Sequence, residues 1–100
     1  MPAKESKFER DTCKELKTRY PGSIIEKNDA GYIQGIPDRT IYFGSKYAML
    51  EFKRSKNASH RPNQEYYIGK VNDMGGFAKF IFPENKENVL HELDEYFKKD

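Results

Sequence analysis

Two β-rich segments that meet at Gly44-Ser45 impose the strongest constraint on how this chain can fold. Residues 39–43 are rich in β-branched and aromatic side chains, and residues 47–53 are mostly apolar, with aromatic residues at Tyr47 and Phe52. Glycine at the first position of a two-residue loop is typical of a type II′ β-hairpin. The sequence therefore predicts one antiparallel hairpin over these two segments, with a tight turn between them.

The register of this hairpin brings two acidic residues together. If the loop is only two residues long, Phe43 pairs with Lys46, and the same register places Asp38 opposite Glu51. Two carboxylates about 5 Å apart repel each other by roughly 3 kcal/mol at an effective dielectric constant of about 20. Lys53 or a divalent cation can compensate for this repulsion. A surface cluster of Asp, Glu and Lys without any cation is the alternative.

Side-chain alternation gives the hairpin two different faces. The face expected to join the core carries Ile41, Phe43, Ala48, Leu50 and Phe52. The opposite face carries Asp38, Thr40, Tyr42, Tyr47, Met49, Glu51 and Lys53. The two acids and the lysine are therefore expected on the same side of the sheet, at the end away from the turn.

Helix and turn signals predict the remaining elements. A capping box at residues 6–9 opens a first helix, Pro21-Gly22 ends it, and a short strand follows over residues 23–27. After a polar loop, a second helix is predicted to begin at Pro62, with Tyr67, Ile68, Val71 and Met74 facing inward. A strand over 77–82 precedes a last helix over 85–98, with Val89, Leu93, Tyr96 and Phe97 facing inward.

This order of elements predicts the fold class. The order is α-β-β-β-α-β-α, and the strand–helix–strand segment over 47–82 predicts two parallel strands joined by a right-handed crossover. We expect an α/β fold of the α+β type, with a mixed four-stranded sheet flanked by helices. Because the chain has only 100 residues, one domain is expected over residues 1–100.

The motif residues resemble those of the PD-(D/E)-x-K nuclease superfamily. Gly35-Ile36-Pro37-Asp38 is followed, after twelve residues, by Glu51-Phe52-Lys53. The chain is similar to the virus-type replication–repair nuclease module and to phage and bacterial Holliday-junction resolvases, in which a polar loop, a helix with a glutamine and a glycine-punctuated strand follow. Gln64 and Gly75-Gly76-Phe77 match that layout, and the match covers about residues 31–83. The resemblance implies a restriction-endonuclease-like fold and a single nuclease domain.

The resemblance also implies a metal-dependent DNA endonuclease that hydrolyses phosphodiester bonds. Asp38 and Glu51 would hold Mg²⁺ or Mn²⁺, with the Phe52 carbonyl as a further ligand. Lys53 would orient or deprotonate the attacking water, or offset charge in the transition state, and Gln64 would position Lys53 or the water. The sequence leaves the choice between base and fixed charge open for Lys53. For Gln64, the alternative is a buried glutamine that caps backbone groups.

Glu9 is a further candidate for the catalytic site. It lies in line with the predicted inward stripe of the first helix, and many relatives in the superfamily place an acidic residue on this helix near the metal. The alternative is that Glu9 only completes the capping box with Ser6.

The charge distribution predicts where DNA would bind. Residues 46–70 contain six basic and two acidic residues, a net charge of +4, whereas residues 84–100 have a net charge of −3. Lys46, Arg54, Lys56 and Arg61 are the predicted phosphate contacts, which would give strongly salt-dependent binding with little base specificity. A solvated basic loop is the alternative, and His60 is expected to be a surface residue.

The sequence does not decide between several possible activities and partners. The leading prediction is a structure-selective nuclease of the Holliday-junction resolvase kind. The alternatives are a nicking, flap-cutting or restriction-like nuclease, a non-cleaving nucleic-acid-binding module of the same fold, or a protein-interaction domain whose acidic last helix docks a basic partner. Because cutting both strands of a junction needs two sites, a homodimer is expected, with Tyr32 and Tyr42 as interface candidates.

The sequence argues against several other classes. No apolar run reaches about 18 residues, so no membrane association is expected. The chain lacks a Gly-x-x-x-x-Gly-Lys motif, which argues against a nucleotide cofactor, and its two histidines and one cysteine argue against a usual zinc site. Cys13 has no partner for an internal disulfide, so a cytoplasmic location is expected. This would be the host cytoplasm if the protein is phage-encoded, as short stand-alone nucleases often are.

Overall fold

A computed structural model describes residues 5–99 and places helices on both faces of a mixed four-stranded sheet. The elements are α1 (Lys7–Arg19), β1 (Ile24–Lys27), β2 (Arg39–Phe43), β3 (Lys46–Phe52), α2 (Gln64–Asp73), β4 (Phe77–Ile81), a 3₁₀ turn (Pro83–Asn85) and α3 (Lys86–Lys98). The strands lie in the order β1-β2-β3-β4, and only the β3–β4 pair is parallel. The predicted α+β class, element order and mixed sheet are confirmed. Within residues 5–99, no helix has the length and apolar character that crossing a bilayer requires.

The β2–β3 hairpin has the predicted register. Phe43 pairs with Lys46, and the ladder continues to the pair of Arg39 with Leu50. Gly44 has a φ of +62°, as the first position of a type II′ turn requires. The ladder ends one residue before Asp38, so Asp38 does not form a strand pair with Glu51 and instead accepts a hydrogen bond through its side chain.

The first helix begins at the predicted cap. The backbone N–H of Glu9 donates to Ser6 Oγ over 3.0 Å, which satisfies one of the free amides at the helix start. The other half of the predicted capping box is not formed, because the Glu9 carboxylate binds Arg39. The helix ends at Arg19, and the backbone N–H of Tyr20 closes its last turn on the Leu16 carbonyl.

The second and third helices begin later than the sequence predicts. α2 begins at Gln64 and not at Pro62, because Asn63 has a φ of +70° and interrupts helical geometry. Met74, predicted to face inward, lies beyond the helix end and is 62% exposed. α3 begins at Lys86 because the 3₁₀ turn occupies the preceding residues.

Both faces of the sheet are covered, but by cores of different size. One face packs against α1 and α3 and contains Leu16, Tyr20, Ile41, Ala48, Leu50, Phe77, Ile81, Val89, Leu90, Leu93 and Phe97. Leu90 was not among the predicted inward residues of α3. The other face carries the smaller cluster of Met49, Val71 and Ala78, which packs against Ile36, Tyr47 and Ile68. Because α2 covers this second face, Glu51 is buried although its side chain points away from the main core.

Gly35→Ala is expected to destabilise the protein more than Gly44→Ala. Both glycines have positive φ angles, +91° and +62°, so both substitutions strain the backbone by about 1 kcal/mol or more. At Gly35, however, an added Cβ would also lie 2.6 Å from the backbone carbon of Asn63, whereas at Gly44 it would meet nothing within 4 Å. Urea unfolding of the two variants measures the difference. Equal losses would show that the contact between Gly35 and the start of α2 is not tight in solution.

Candidate active site

Three polar side chains meet where β3 ends and α2 begins. Glu51 lies near the end of β3, Lys53 follows the strand, and Gln64 is the first residue of α2. Gln64 Nε2 donates to Glu51 Oε2 over 3.0 Å, and Lys53 Nζ donates to Gln64 Oε1 over 2.6 Å. Lys53 Nζ lies 3.9 Å from Glu51 Oε2. Gln64 therefore joins the acid and the amine through one side-chain amide.

Asp38 lies beside this group, immediately before β2. Its Oδ2 accepts a hydrogen bond from the Phe52 N–H over 2.8 Å, and its backbone carbonyl accepts from the Asn28 N–H, also over 2.8 Å. Asp38 is thus held between the end of β1 and the end of β3. The structure brings four of the predicted site residues together: Asp38, Glu51, Lys53 and Gln64.

Burial and neighbouring negative charges raise the pKa values of the Asp38 and Glu51 carboxyl groups. Burial, and then the negative charge of Asp38, raise the pKa of Glu51 to about 8. Burial is also the main cause that raises the pKa of Asp38, with the charge of Glu9 adding to it and the Phe52 N–H opposing it. In the absence of a cation, the pair therefore retains a proton near neutral pH.

One oxygen of the pair is left without a partner. Glu51 is 5% exposed, and its Oε1 has no hydrogen-bond partner among residues 5–99. An unsatisfied buried acceptor costs about 1–3 kcal/mol, and a divalent cation would satisfy it while offsetting the repulsion from Asp38. Carboxylate and carbonyl oxygens are the ligands that Mg²⁺ prefers. Asp38, Glu51 and the neighbouring Phe52 carbonyl therefore fit Mg²⁺ or Mn²⁺.

The described residues offer a small set of metal ligands. No group of three or more His, Cys, Asp or Glu side chains within residues 5–99 is arranged to hold a metal ion. A cation between Asp38 and Glu51 would therefore have two side-chain ligands, and backbone oxygen, water or a substrate would have to supply the others. Mg²⁺ commonly retains several waters and binds through one or two carboxylates.

Glu9 lies close to Asp38 but is engaged elsewhere. Its side chain is buried, and its Oε2 lies 2.8 Å from Arg39 Nε and 3.8 Å from Lys27 Nζ. Arg39 also binds Glu5. The structure therefore places Glu9 in an ion-pair cluster that ties α1 to β1 and β2, with its charge acting on Asp38 from a neighbouring position.

The predicted DNA-binding residues separate into two groups. Arg54, Lys56 and Arg61 are exposed in the loop between β3 and α2, and none forms an ion pair with another residue in the described range 5–99. Lys46 lies at the opposite end of β3, about 20 Å away at roughly 3.3 Å per residue. Its Nζ donates to the Tyr96 carbonyl over 2.7 Å and to the Lys99 carbonyl at the end of α3. The structure therefore does not bring Lys46 to the site.

The structure adds residues that the sequence analysis did not assign to the site. Lys53 Nζ donates to the Ser59 carbonyl over 3.1 Å and lies 5.9 Å from the centre of the Phe80 ring. The His60 ring stacks on Phe80, with 4.0 Å between ring centroids. Phe80 pairs with Glu51 in the parallel β3–β4 ladder, so the two side chains share a face. The register of this ladder would have predicted the neighbourhood, but a helical crossover does not fix that register from sequence.

Comparisons with known proteins find no matching family model, no matching curated protein and no matching solved structure. The resemblance to the PD-(D/E)-x-K nucleases therefore stays a prediction. It rests on the motif residues and on where the fold places them.

Glu51→Gln is expected to flatten the pH dependence of stability in EDTA. The pKa of Glu51 is about 8 in the folded protein against an ordinary 4.5, so between these values the folded state holds a proton that the unfolded state releases. Wild-type stability therefore falls as pH rises through this window, by up to about 1.4 kcal/mol per pH unit. The neutral glutamine removes this contribution.

Urea unfolding across the same pH window measures the effect. Glu87→Gln is the matched control, because Glu87 is exposed on α3 and its variant should keep the wild-type slope. If Glu51→Gln also kept that slope, Glu51 would be ionised in the folded protein across this window, and the raised pKa of Glu51 would be wrong.

Proposed function

We propose that this protein is a metal-dependent DNA endonuclease that hydrolyses phosphodiester bonds, with a preference for branched DNA of the Holliday-junction kind. The observation that carries this proposal is a buried Glu51 oxygen without a partner within residues 5–99, beside Asp38 and beside the Lys53 amine that Gln64 links to Glu51. Two acids whose mutual repulsion a cation would offset, next to a positioned amine, are groups suited to metal-assisted phosphodiester hydrolysis.

Asp38 and Glu51 would hold Mg²⁺ or Mn²⁺, together with the Phe52 carbonyl. When bound, the cation supplies Lewis-acid polarisation of the phosphate and activation of water. The buried position of Glu51 keeps this carboxylate out of bulk solvent, and the Phe52 N–H fixes one oxygen of Asp38. Both side chains are therefore oriented before a substrate arrives.

Lys53 supplies a positioned positive charge. Two of its three N–H groups bind the Gln64 and Ser59 oxygens, which leaves the third for a phosphate oxygen or for the attacking water. The side chain is only 10% exposed, so its interaction with developing negative charge is weakly screened. Gln64 acts as a positioning residue, because its amide holds the amine and the Glu51 carboxylate at the same time.

The loop between β3 and α2 supports DNA as the substrate. Arg54, Lys56 and Arg61 are exposed in this loop, adjacent to the site, and suit phosphate contacts that carry no base specificity. Lys46 does not take part in this surface, since it binds the end of α3.

Junction cleavage would require a second copy of the chain. Each chain carries one such site on a body of 35 × 28 × 24 Å, and two symmetric cuts need two sites related by a two-fold axis. Tyr32 and Tyr42, which are 86% and 44% exposed, remain the interface candidates. The lone cysteine, Cys13, supports a cytoplasmic setting for this activity.

Lys53→Ala is expected to abolish cleavage while DNA binding persists. Loss of one electrostatic group of this kind costs about a hundredfold to a thousandfold in rate. The measurement is cleavage of four-way junction, flap, single-stranded and linear duplex DNA in Mg²⁺, with binding measured separately in EDTA.

Lys79→Ala is the matched control. Lys79 lies on the opposite face of the sheet, in register with Leu50, and pairs with Glu92 of α3. Its loss should leave cleavage unchanged. If wild-type protein binds these substrates but cuts none of them in Mg²⁺ or Mn²⁺, the proposed activity is wrong and a non-cleaving DNA-binding module is the better description.

Asp38→Asn is expected to remove stabilisation by Mg²⁺. A cation that binds only the folded state stabilises the wild type by about 2.7 kcal/mol at a hundred times its dissociation constant. Thermal unfolding with increasing MgCl₂ measures this without DNA and without cleavage. Asp73→Asn, at an exposed position at the end of α2, should respond as the wild type does. An equal rise in Tm for Asp38→Asn would place the cation elsewhere.

A further inference from the structure

We propose that a cleft beside the candidate active site binds the base of an unpaired nucleotide in the DNA substrate. This inference rests on the proposed function for the identity of the ligand as DNA. The cleft is shallow and open to solvent, has a volume of about 440 Å³, and is lined by exposed residues: His60, Arg61, Pro62, Asn63, Glu65 and Tyr66. Ligand sites for small molecules begin at about 300 Å³, so a single nucleotide is of suitable size.

One hydrogen-bonded side chain, that of Gln64, links the loop that lines the cleft to Lys53 of the site. Gln64 Oε1 accepts from the Arg61 N–H over 2.9 Å and from Lys53 Nζ over 2.6 Å. The cleft residues Asn63 and Glu65 flank Gln64 in the chain. A nucleotide in this cleft would therefore lie next to the phosphate that Lys53 contacts.

The lining offers the side chains on which bases stack. Tyr66 is 60% exposed, and its ring is supported edge-to-face by Tyr67 at 5.1 Å. His60 lies nearly parallel to Phe80, at an interplanar angle of 13°, so Phe80 covers one of its faces and the other remains available. Aromatic rings, imidazole and the planar guanidinium of Arg61 are the groups that stack on unpaired bases in nucleic-acid-binding proteins.

The walls of the cleft are held in place before any ligand binds. His60 Nδ1 lies 2.9 Å from Glu65 Oε1, which fixes the orientation of the imidazole. Asn63, the one non-glycine residue with a positive φ within residues 5–99, turns the chain sharply at the cleft, and Gly35 packs directly against it. These two contacts order one side of the cleft and reduce the conformational entropy that the loop would lose on binding.

The ligand must be an unpaired nucleotide. In an intact duplex both faces of every base are stacked, so a base can enter a protein cleft only where it is unpaired or has been displaced. Paired DNA would contact this surface only through its phosphates. The cleft therefore favours substrates with an unpaired nucleotide next to the scissile phosphate, such as flaps, gaps or junctions with an extruded base.

A single abasic substitution tests this inference. A labelled duplex with one unpaired nucleotide is compared with the same DNA lacking only that base, by fluorescence anisotropy in EDTA so that no cleavage occurs. We expect loss of the base to weaken wild-type binding about fivefold to a hundredfold. Tyr66→Ala should lose most of this difference, and Tyr66→Phe, which keeps the ring, should retain it.

Ile24→Ala is the control, because Ile24 is as exposed as Tyr66, at 63% against 60%, but lies on β1 and has no part in the cleft. It should retain the full effect of base removal. Equal wild-type affinity for the two DNAs, or an undiminished effect in Tyr66→Ala, would overturn the inference. The wild-type comparison does not depend on any variant folding. An effect of base removal in a protein that cuts no DNA would refute the nuclease proposal and support the base-binding cleft.

Discussion

The hydrogen bond between Gln64 and the buried carboxylate of Glu51 is the interaction on which the arrangement of this site depends. Glu51 lies on a sheet face that α2 covers, so water solvates its charge poorly, and protein groups, a cation or a bound proton must offset that charge. Gln64 opens α2 and meets one oxygen, and Lys53 stands 3.9 Å from the same oxygen. The other oxygen has no partner within residues 5–99. The burial that makes the ionised carboxylate costly would also orient it as a ligand for the proposed cation.

The hairpin and the acids at its end could be predicted because local rules determine them. A two-residue loop with glycine first fixes the register of β2 and β3, and the pleat then places Glu51 and Lys53 on one side. The same reasoning could not place Phe80, because the register between β3 and β4 is set by packing of a helical crossover and not by a turn. It also could not predict the left-handed conformation of Asn63, which moves the start of α2 to Gln64.

Long side chains were harder to place than strands. Glu9 and Arg39 pair with each other across α1 and β2, and both are largely buried. The sequence showed a capping box at Glu9 but gave no sign of this contact between residues 30 positions apart. Lys46 belongs to the basic middle of the chain by composition, but its long stem carries the amine to the carboxyl end of α3, where a positive charge is favourable. Charge counted along a segment therefore does not say which surface the charges share.

The amide oxygen of Gln64 would couple DNA binding by the loop to the position of the Lys53 amine. It accepts hydrogen bonds from the Arg61 N–H and from Lys53 Nζ. The position of the loop between β3 and α2 and the position of the amine therefore depend on the same oxygen atom. A bound DNA that displaces the Arg61 loop would weaken the hydrogen bond between Gln64 and Lys53. A DNA that leaves the loop in place would preserve this bond. If the proposed nuclease activity holds, two DNA substrates of similar affinity could therefore differ in cleavage rate, as in enzymes that use induced fit.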